Sequence, residues 1–181
     1  QQRDDLTTSQ PAPAGEVTGD ESRPSPTTTT ATGLSSLVDA CRAIAGLRDR
    51  AELHRTTVEE AIRLTNAEAG AFIVTPGADP GRAQYVFQSH PQLFVGATLG
   101  AGVLRTTLVE REAVCEVVAD EPSLALSPIA LAVTPAIAAG GVVGLIVVLR
   151  SADEPFGNTD LEVLNMLAPA AGSAHVAASS T

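Results

Sequence analysis

Large apolar residues are scarce along this chain until Leu34, and from there they recur with two distinct periods. Leu34, Leu37, Val38, Cys41, Ile44 and Ala45 lie three and four residues apart, which predicts a helix with one apolar stripe. Arg48, Asp49 and Arg50 interrupt that stripe. Asp49 and Glu52 have the spacing of a capping box, opening a second helix with Leu53, Val58, Ala61, Ile62 and Leu64 facing inward. Arg55, Glu59, Glu60 and Arg63 face water in this reading, His54 is solvated beside Arg55, and the helix stops between Asn66 and Gly70.

The period then shortens to two. Ala71 to Thr75 reads as a buried strand, the Pro/Gly-rich stretch 76–81 as a turn, and Gln84 to Gln88 as the returning strand of a hairpin. A short helix is predicted from Val103 to Glu112, a strand from Ala113 to Val118, and another from Ile129 to Ile137. Ala139-Gly140-Gly141 turns that strand into Val142–Arg150. This last strand is apolar on both alternating faces, as a central strand covered on two sides must be. After a polar turn, Leu161, Leu164, Leu167 and Ala168 return to helical spacing. Pro169 is expected to kink this final helix. Hairpin-joined strands flanked by helices at both chain ends imply an α+β domain. Its central antiparallel sheet has five to six strands, with the N- and C-terminal helices on one face and the loops and short helix on the other.

The order and spacing of these elements resemble a GAF domain, a small sensory module, from Leu34 to about Ala178. Three passages carry the resemblance. Asn66 to Val74 is similar to the family's passage from its second helix into its first strand. Gly102 to Val117 followed by Asp120-Glu121-Pro122 is similar to its helix, apolar strand and D-x-x-P. The closing hairpin with Phe156-x-x-x-Asp160 and the helix behind it completes the match. The resemblance implies a pocket between the sheet and the loops opposite the terminal helices, and terminal helices that pair with their copies in a dimer. Family members bind cyclic nucleotides, bilins, haem or small metabolites, and many only dimerise. Arg150-Ser151 and Leu161 depart from the pattern of the cyclic-nucleotide binders and argue against that ligand. The loop from Ser123 to Pro128 is short where ligand-binding members carry a longer lid.

Composition narrows this picture. Residues 1–32 are rich in Thr, Ser and Pro and cannot bury enough surface to offset their ordering entropy, so the domain is expected over 33–178 with a tail at 179–181. Gln1 in place of an initiator Met points to a chain processed or cut from something longer. The net charge of −10 comes with Arg but no Lys, which argues against nucleic acid and anionic membrane as partners and removes lysine chemistry. No apolar run has transmembrane length. Two cysteines, Cys41 and Cys115, suit a reducing cytoplasm better than a disulfide scaffold.

Candidate chemistry is thin. The resemblance places Tyr85, Phe87, Phe94, Arg105 and Cys115 around the expected pocket, and Leu34, Leu37, Cys41, Leu164, Ala171 and His175 at the expected homodimer interface. The small residues of the last helix suit close helix approach. Gly100-Ala101-Gly102, at a helix start with Arg105 in its first turn, offers backbone N–H groups to an anion. Cys115 is the one candidate for a redox-sensitive thiol, yet no Lys or His adjoins it to lower its pKa. The sulfoxide-reductase branch of the family needs thiols near the short helix and before the fourth strand. Those stretches here read Gly102-Val103-Leu104 and Leu124-Ala125-Leu126. His54, His90 and His175 show no metal-ligand spacing. No catalytic centre and no metal site are expected, the cofactor is undefined, and the function implied is a sensory or regulatory module. The alternatives are a structural interaction domain with a filled pocket, or a thiol sensor built on Cys115.

Overall fold

The computed structural model describes residues 26–180. Its elements are helices α1 (Pro26–Gly46) and α2 (Arg50–Thr65), strands β1 (Ala69–Val74) and β2 (Gln84–Gln88), and short helix α3 (Ala101–Arg105). Strands β3 (Val114–Val118), β4 (Ile129–Ala138) and β5 (Gly141–Ser151) and the long helix α4 (Asn158–Ser179) follow. The five strands form one sheet in the order β2-β1-β5-β4-β3, every pairing antiparallel. Helix α1 starts inside the segment expected not to fold: Pro26 sits at the first helical position, where its missing N–H costs nothing. Residues 1–25 lie outside the described residues.

Strand β5 sets the layers. Ile146 and Val148 point to one side of the sheet and Leu145, Val147 and Leu149 to the other, and all five are fully buried. The first side is covered by α1, α2 and α4 through Leu37, Ile44, Leu53, Val58, Leu164 and Leu167. The second is covered by α3 and the loops around it through Phe94, Leu99, Val103, Leu104, Leu108 and Leu124. Asp49 caps α2 by accepting from the Glu52 amide at 2.8 Å.

Two contacts require the absence of a side chain. A Cβ on Gly144 of β5 would come within 2.6 Å of Phe72 Cε1, and one on Gly172 of α4 within 2.7 Å of the Ile137 carbonyl oxygen. The small residues of α4 therefore serve its approach to its own sheet: Ala168, Ala171 and Ala174 are buried there. The helix continues as one element through Pro169.

The short helix differs from its expected span. After Arg105 the backbone widens into a π-type turn, Thr106–Glu110, and ends at Arg111 in the left-handed region (φ 57°). Thr107 explains the change, because its hydroxyl donates to both the Val103 and Leu104 carbonyls and competes with the backbone for them. In the β4–β5 hairpin the turn falls one residue earlier than expected, on Ala139 (φ 51°) and Gly140 (φ 78°). A left-handed alanine is strained, whereas asparagine suits such a two-residue turn. Ala139→Asn should raise the unfolding free energy by about 0.5–1 kcal/mol, read from the urea midpoint.

Arg150 joins the ends of three elements. Its guanidinium donates to the Thr65 carbonyl at the end of α2 (2.6 Å), to the Pro155 carbonyl (2.8 Å) and to Asp160 Oδ2 in the first turn of α4 (3.1 Å). It also lies 4.1 Å from the centroid of the Phe156 ring. Asp160 in turn accepts from the Gly157 amide at 2.9 Å. A lysine keeps the charge but cannot reproduce this fork. Arg150→Lys should destabilise the fold by about 2–3 kcal/mol in chemical denaturation, leaving two carbonyls short of a donor.

Candidate functional site

The face expected to hold a pocket is filled. Ile73, Leu131, Val133 and Leu145 on the sheet have no exposed surface, and α3 with the π-type turn after it closes over them through Val103, Leu104 and Leu108. Tyr85 and Phe94 do lie on this side, their ring centroids 5.2 Å apart. The Tyr85 hydroxyl is buried without a partner among the described residues, as is that of Thr98. Burial, helped by the Glu121 carboxylate, pushes the Tyr85 phenol well above its ordinary pKa, so it remains a neutral donor. Arg105 is exposed on α3.

The other two pocket candidates belong elsewhere. Cys115 and Phe87 pack against the terminal-helix core, on the opposite face of the sheet. The Cys115 thiol donates to the Phe156 carbonyl at 2.8 Å. Burial, together with the nearby Asp160 carboxylate, raises its pKa, which is the reverse of what a reactive thiol needs. The start of α3 is also occupied by the chain itself. The Gly100 amide donates to Ser123 Oγ at 3.0 Å, and the Glu121 carboxylate lies so close that a Cβ on Gly100 would meet it at 2.6 Å. An external anion is displaced there by an internal one.

Of the interface candidates, Leu37, Leu164 and Ala171 are taken up by the chain's own core. Cys41 is half-buried, its thiol 3.5 Å from the Met166 carbonyl. Leu34 remains outside, 52 % exposed, with Val38 at 43 % on the same helix and Met166 at 49 % on α4. Leu34 and Met166 line a groove of about 400 Å³ between α1 and α4, and Val38 stands one turn along α1 from Leu34. The helical period located both helices, but which side of α1 meets the sheet depends on α4 and was not legible in that period.

The arrangement that sequence reasoning missed is a pair of histidines. His54, expected in solvent, is 6 % exposed, and His175 of α4 lies against it. His54 Nε2 and His175 Nδ1 are 3.1 Å apart, so one ring donates and the other accepts. His54 stacks on Phe72 with centroids 4.5 Å apart, and His175 lies 6.3 Å from the same ring. The helical spacing of His54 with Val58 and Ala61 was the available sign that it faces inward. Arg50 stands at the head of the pair and donates to Ser179 Oγ, linking the first turn of α2 to the last turn of α4. Together these side chains line one wall of a cleft of about 630 Å³ that opens at the end of the sheet where β1 and β5 meet. Burial, the neighbouring imidazole and Arg50 lower the His54 pKa to about 4, opposed only by Asp49; burial and Arg50 lower that of His175 as well.

Comparison with known proteins places the chain. The GAF domain family model matches residues 49–174, and the chain belongs to that family. No curated protein sequence matches it. Among solved structures, it is similar to the GAF domain of a phosphoenolpyruvate-protein phosphotransferase from Acinetobacter (TM-score 0.67, 14 % identity, covering 83 % of this chain and 96 % of that one). It is similar also to free methionine-R-sulfoxide reductase from Neisseria meningitidis in complex with its substrate (TM-score 0.65, 18 % identity, 84 % and 93 % covered). A third is a methyl-accepting chemotaxis protein (TM-score 0.59, 17 % identity, 81 % and 99 % covered). At these identities the likeness establishes the fold. Among the described residues no helix is long and apolar enough to cross a membrane, and no group of three metal-ligating side chains converges.

The histidine pair makes stability depend on pH. His54 ionises near 6.5 when unfolded and near 4 in the fold, so the unfolded chain binds more protons between these values. Its contribution is complete above the unfolded pKa and is lost as pH falls toward the folded one. The urea midpoint should drop between about pH 6.5 and pH 5, above the range where carboxylates titrate, with a slope of at most about 1.4 kcal/mol per pH unit for each imidazole. His54→Gln should flatten that slope.

Proposed function

We propose that this chain is a non-catalytic, cytoplasmic regulatory module of the GAF type that works as a homodimer through α1 and α4. One observation carries the reading: Leu34 and Met166 stand exposed at an apolar groove between the two terminal helices, and Val38 is exposed one turn along α1 from Leu34. Burying each of them against a second copy would contribute on the order of 1.5–3 kcal/mol before the costs of association. The similar structures from a chemotaxis protein and a phosphotransferase support a regulatory context. The filled loop-side face supports an interaction module over a sensor that takes its ligand there. The raised pKa and hydrogen-bonded state of Cys115 weigh against a thiol sensor or reductase.

Sedimentation velocity on the full chain is expected to show a dimer at micromolar concentration. The double variant Val38→Glu, Met166→Glu should sediment as a monomer with an unchanged circular dichroism spectrum, its dissociation constant raised by more than about a hundredfold. A parent chain that stays monomeric up to high micromolar concentration would contradict dimerisation through α1 and α4.

A further inference from the structure

Three basic side chains converge on one wall of the cleft between α2 and α4, in a chain whose net charge is −10. Among the described residues Arg50 forms no ion pair, and its guanidinium donates to the neutral Ser179 hydroxyl. The one acidic group acting on His54 is Asp49, whose Oδ1 already accepts from the Glu52 amide. The cluster is therefore frustrated: burial, with Arg50 adding to it, keeps both imidazoles neutral, and they satisfy each other across a 3.1 Å N···N contact. A second proton on the pair would turn the accepting nitrogen into a donor and leave both rings in need of an acceptor.

We propose that this cleft binds a small organic carboxylate, with Arg50 and the protonated His54–His175 pair holding the carboxylate and the apolar walls holding its body. A carboxylate offers acceptors to a guanidinium and to imidazolium N–H groups, and it supplies the negative charge the cluster lacks. The rest of the lining selects against a bare inorganic anion. Val74 and Val143 line the cleft from β1 and β5, and Val86, 39 % exposed on β2, adds apolar surface. A volume of about 630 Å³ lies within the range of sites that take small molecules. The occupant would bridge the first turn of α2 and the end of α4, the two elements Arg50 and Ser179 already join. Because the pair must gain a proton to donate twice, binding and protonation are linked, and affinity rises as pH falls. This site lies across the sheet from the loop-side face and does not rest on self-association.

The test uses the intact chain labelled with ¹⁵N, titrated with sodium benzoate and sodium hexanoate, with benzyl alcohol and inorganic phosphate as comparisons. Saturable shifts of the Ala51 and Val142 amides and of both histidine rings are expected with the carboxylates, tighter at about pH 6 than at about pH 7.5. Arg50→Gln, an exposed position, should weaken benzoate by about tenfold or more, while Arg105→Gln should not. The monomeric Val38→Glu, Met166→Glu protein should bind as the parent does. No saturable shift with either carboxylate at millimolar concentration overturns the proposal. So does equal binding of benzyl alcohol, tighter binding of phosphate, or an Arg50→Gln protein that binds unchanged.

Discussion

A strand with apolar side chains on both of its faces cannot stand at the surface, and the rest of this fold follows from that constraint on β5. Every residue from Leu145 to Leu149 is fully buried, which demands neighbours on both edges and a layer on both faces. The edges are met by β1 and β4. One face is met by three helices and the other by a single short one, so the two layers differ greatly in how much structure they bring. The helix layer is fastened at one end by Arg150 and at the other by the His54–His175 contact. Phe72 links these features: it packs against Gly144 in the sheet and offers its ring to both histidines.

This asymmetry bears on function. In a GAF domain the loop side is where a ligand is looked for, yet here it is packed with Leu, Val and Phe side chains, and its polar atoms are internal groups such as Tyr85, Glu121 and Ser123. Among the described residues the loop side keeps only the unpartnered hydroxyls of Tyr85 and Thr98 inside it, whereas the helix side presents exposed apolar residues on α1 and α4, and Arg50 without an ion pair at the junction of α2 and α4. Unsatisfied groups are where binding energy is available, since burying apolar surface or pairing a lone charge gains most where nothing inside the chain already does so. Both candidate surfaces involve α4, so an event at either one acts on the same helix.

The fold was largely legible in the order of residues because its signals are local periods. The alternation in β5, the three- and four-residue spacing of α1, α2 and α4, and the Pro/Gly punctuation between β1 and β2 each concern a few neighbouring positions. What escaped that reading depends on residues far apart in the chain. His54 looked solvated beside Arg55, and only Phe72 and His175 on other elements reveal its burial. Cys115 alternates correctly along β3, but which face it joins is decided by pairing with β4, where it stands opposite Ala132. Arg150 was read as a departure from a ligand-binding pattern, while its work is to hold the ends of α2 and α4. The alanines of the last helix suggested close helix approach, and within the chain three of them, Ala168, Ala171 and Ala174, are buried in the layer that α4 shares with α1, α2 and the sheet.

On the proposed reading, the working surface of this domain is its helix layer, over a loop-side layer that is solid core. Methyl-resolved NMR of the whole chain, followed over dilution from high to low micromolar concentration, tests this most directly. The methyl resonances of Leu34, Val38 and Met166 should move together as the protein dissociates, while those of Leu131 and Leu145 stay fixed. Concentration-dependent shifts on the loop-side residues, with Leu34, Val38 and Met166 unmoved, would contradict it.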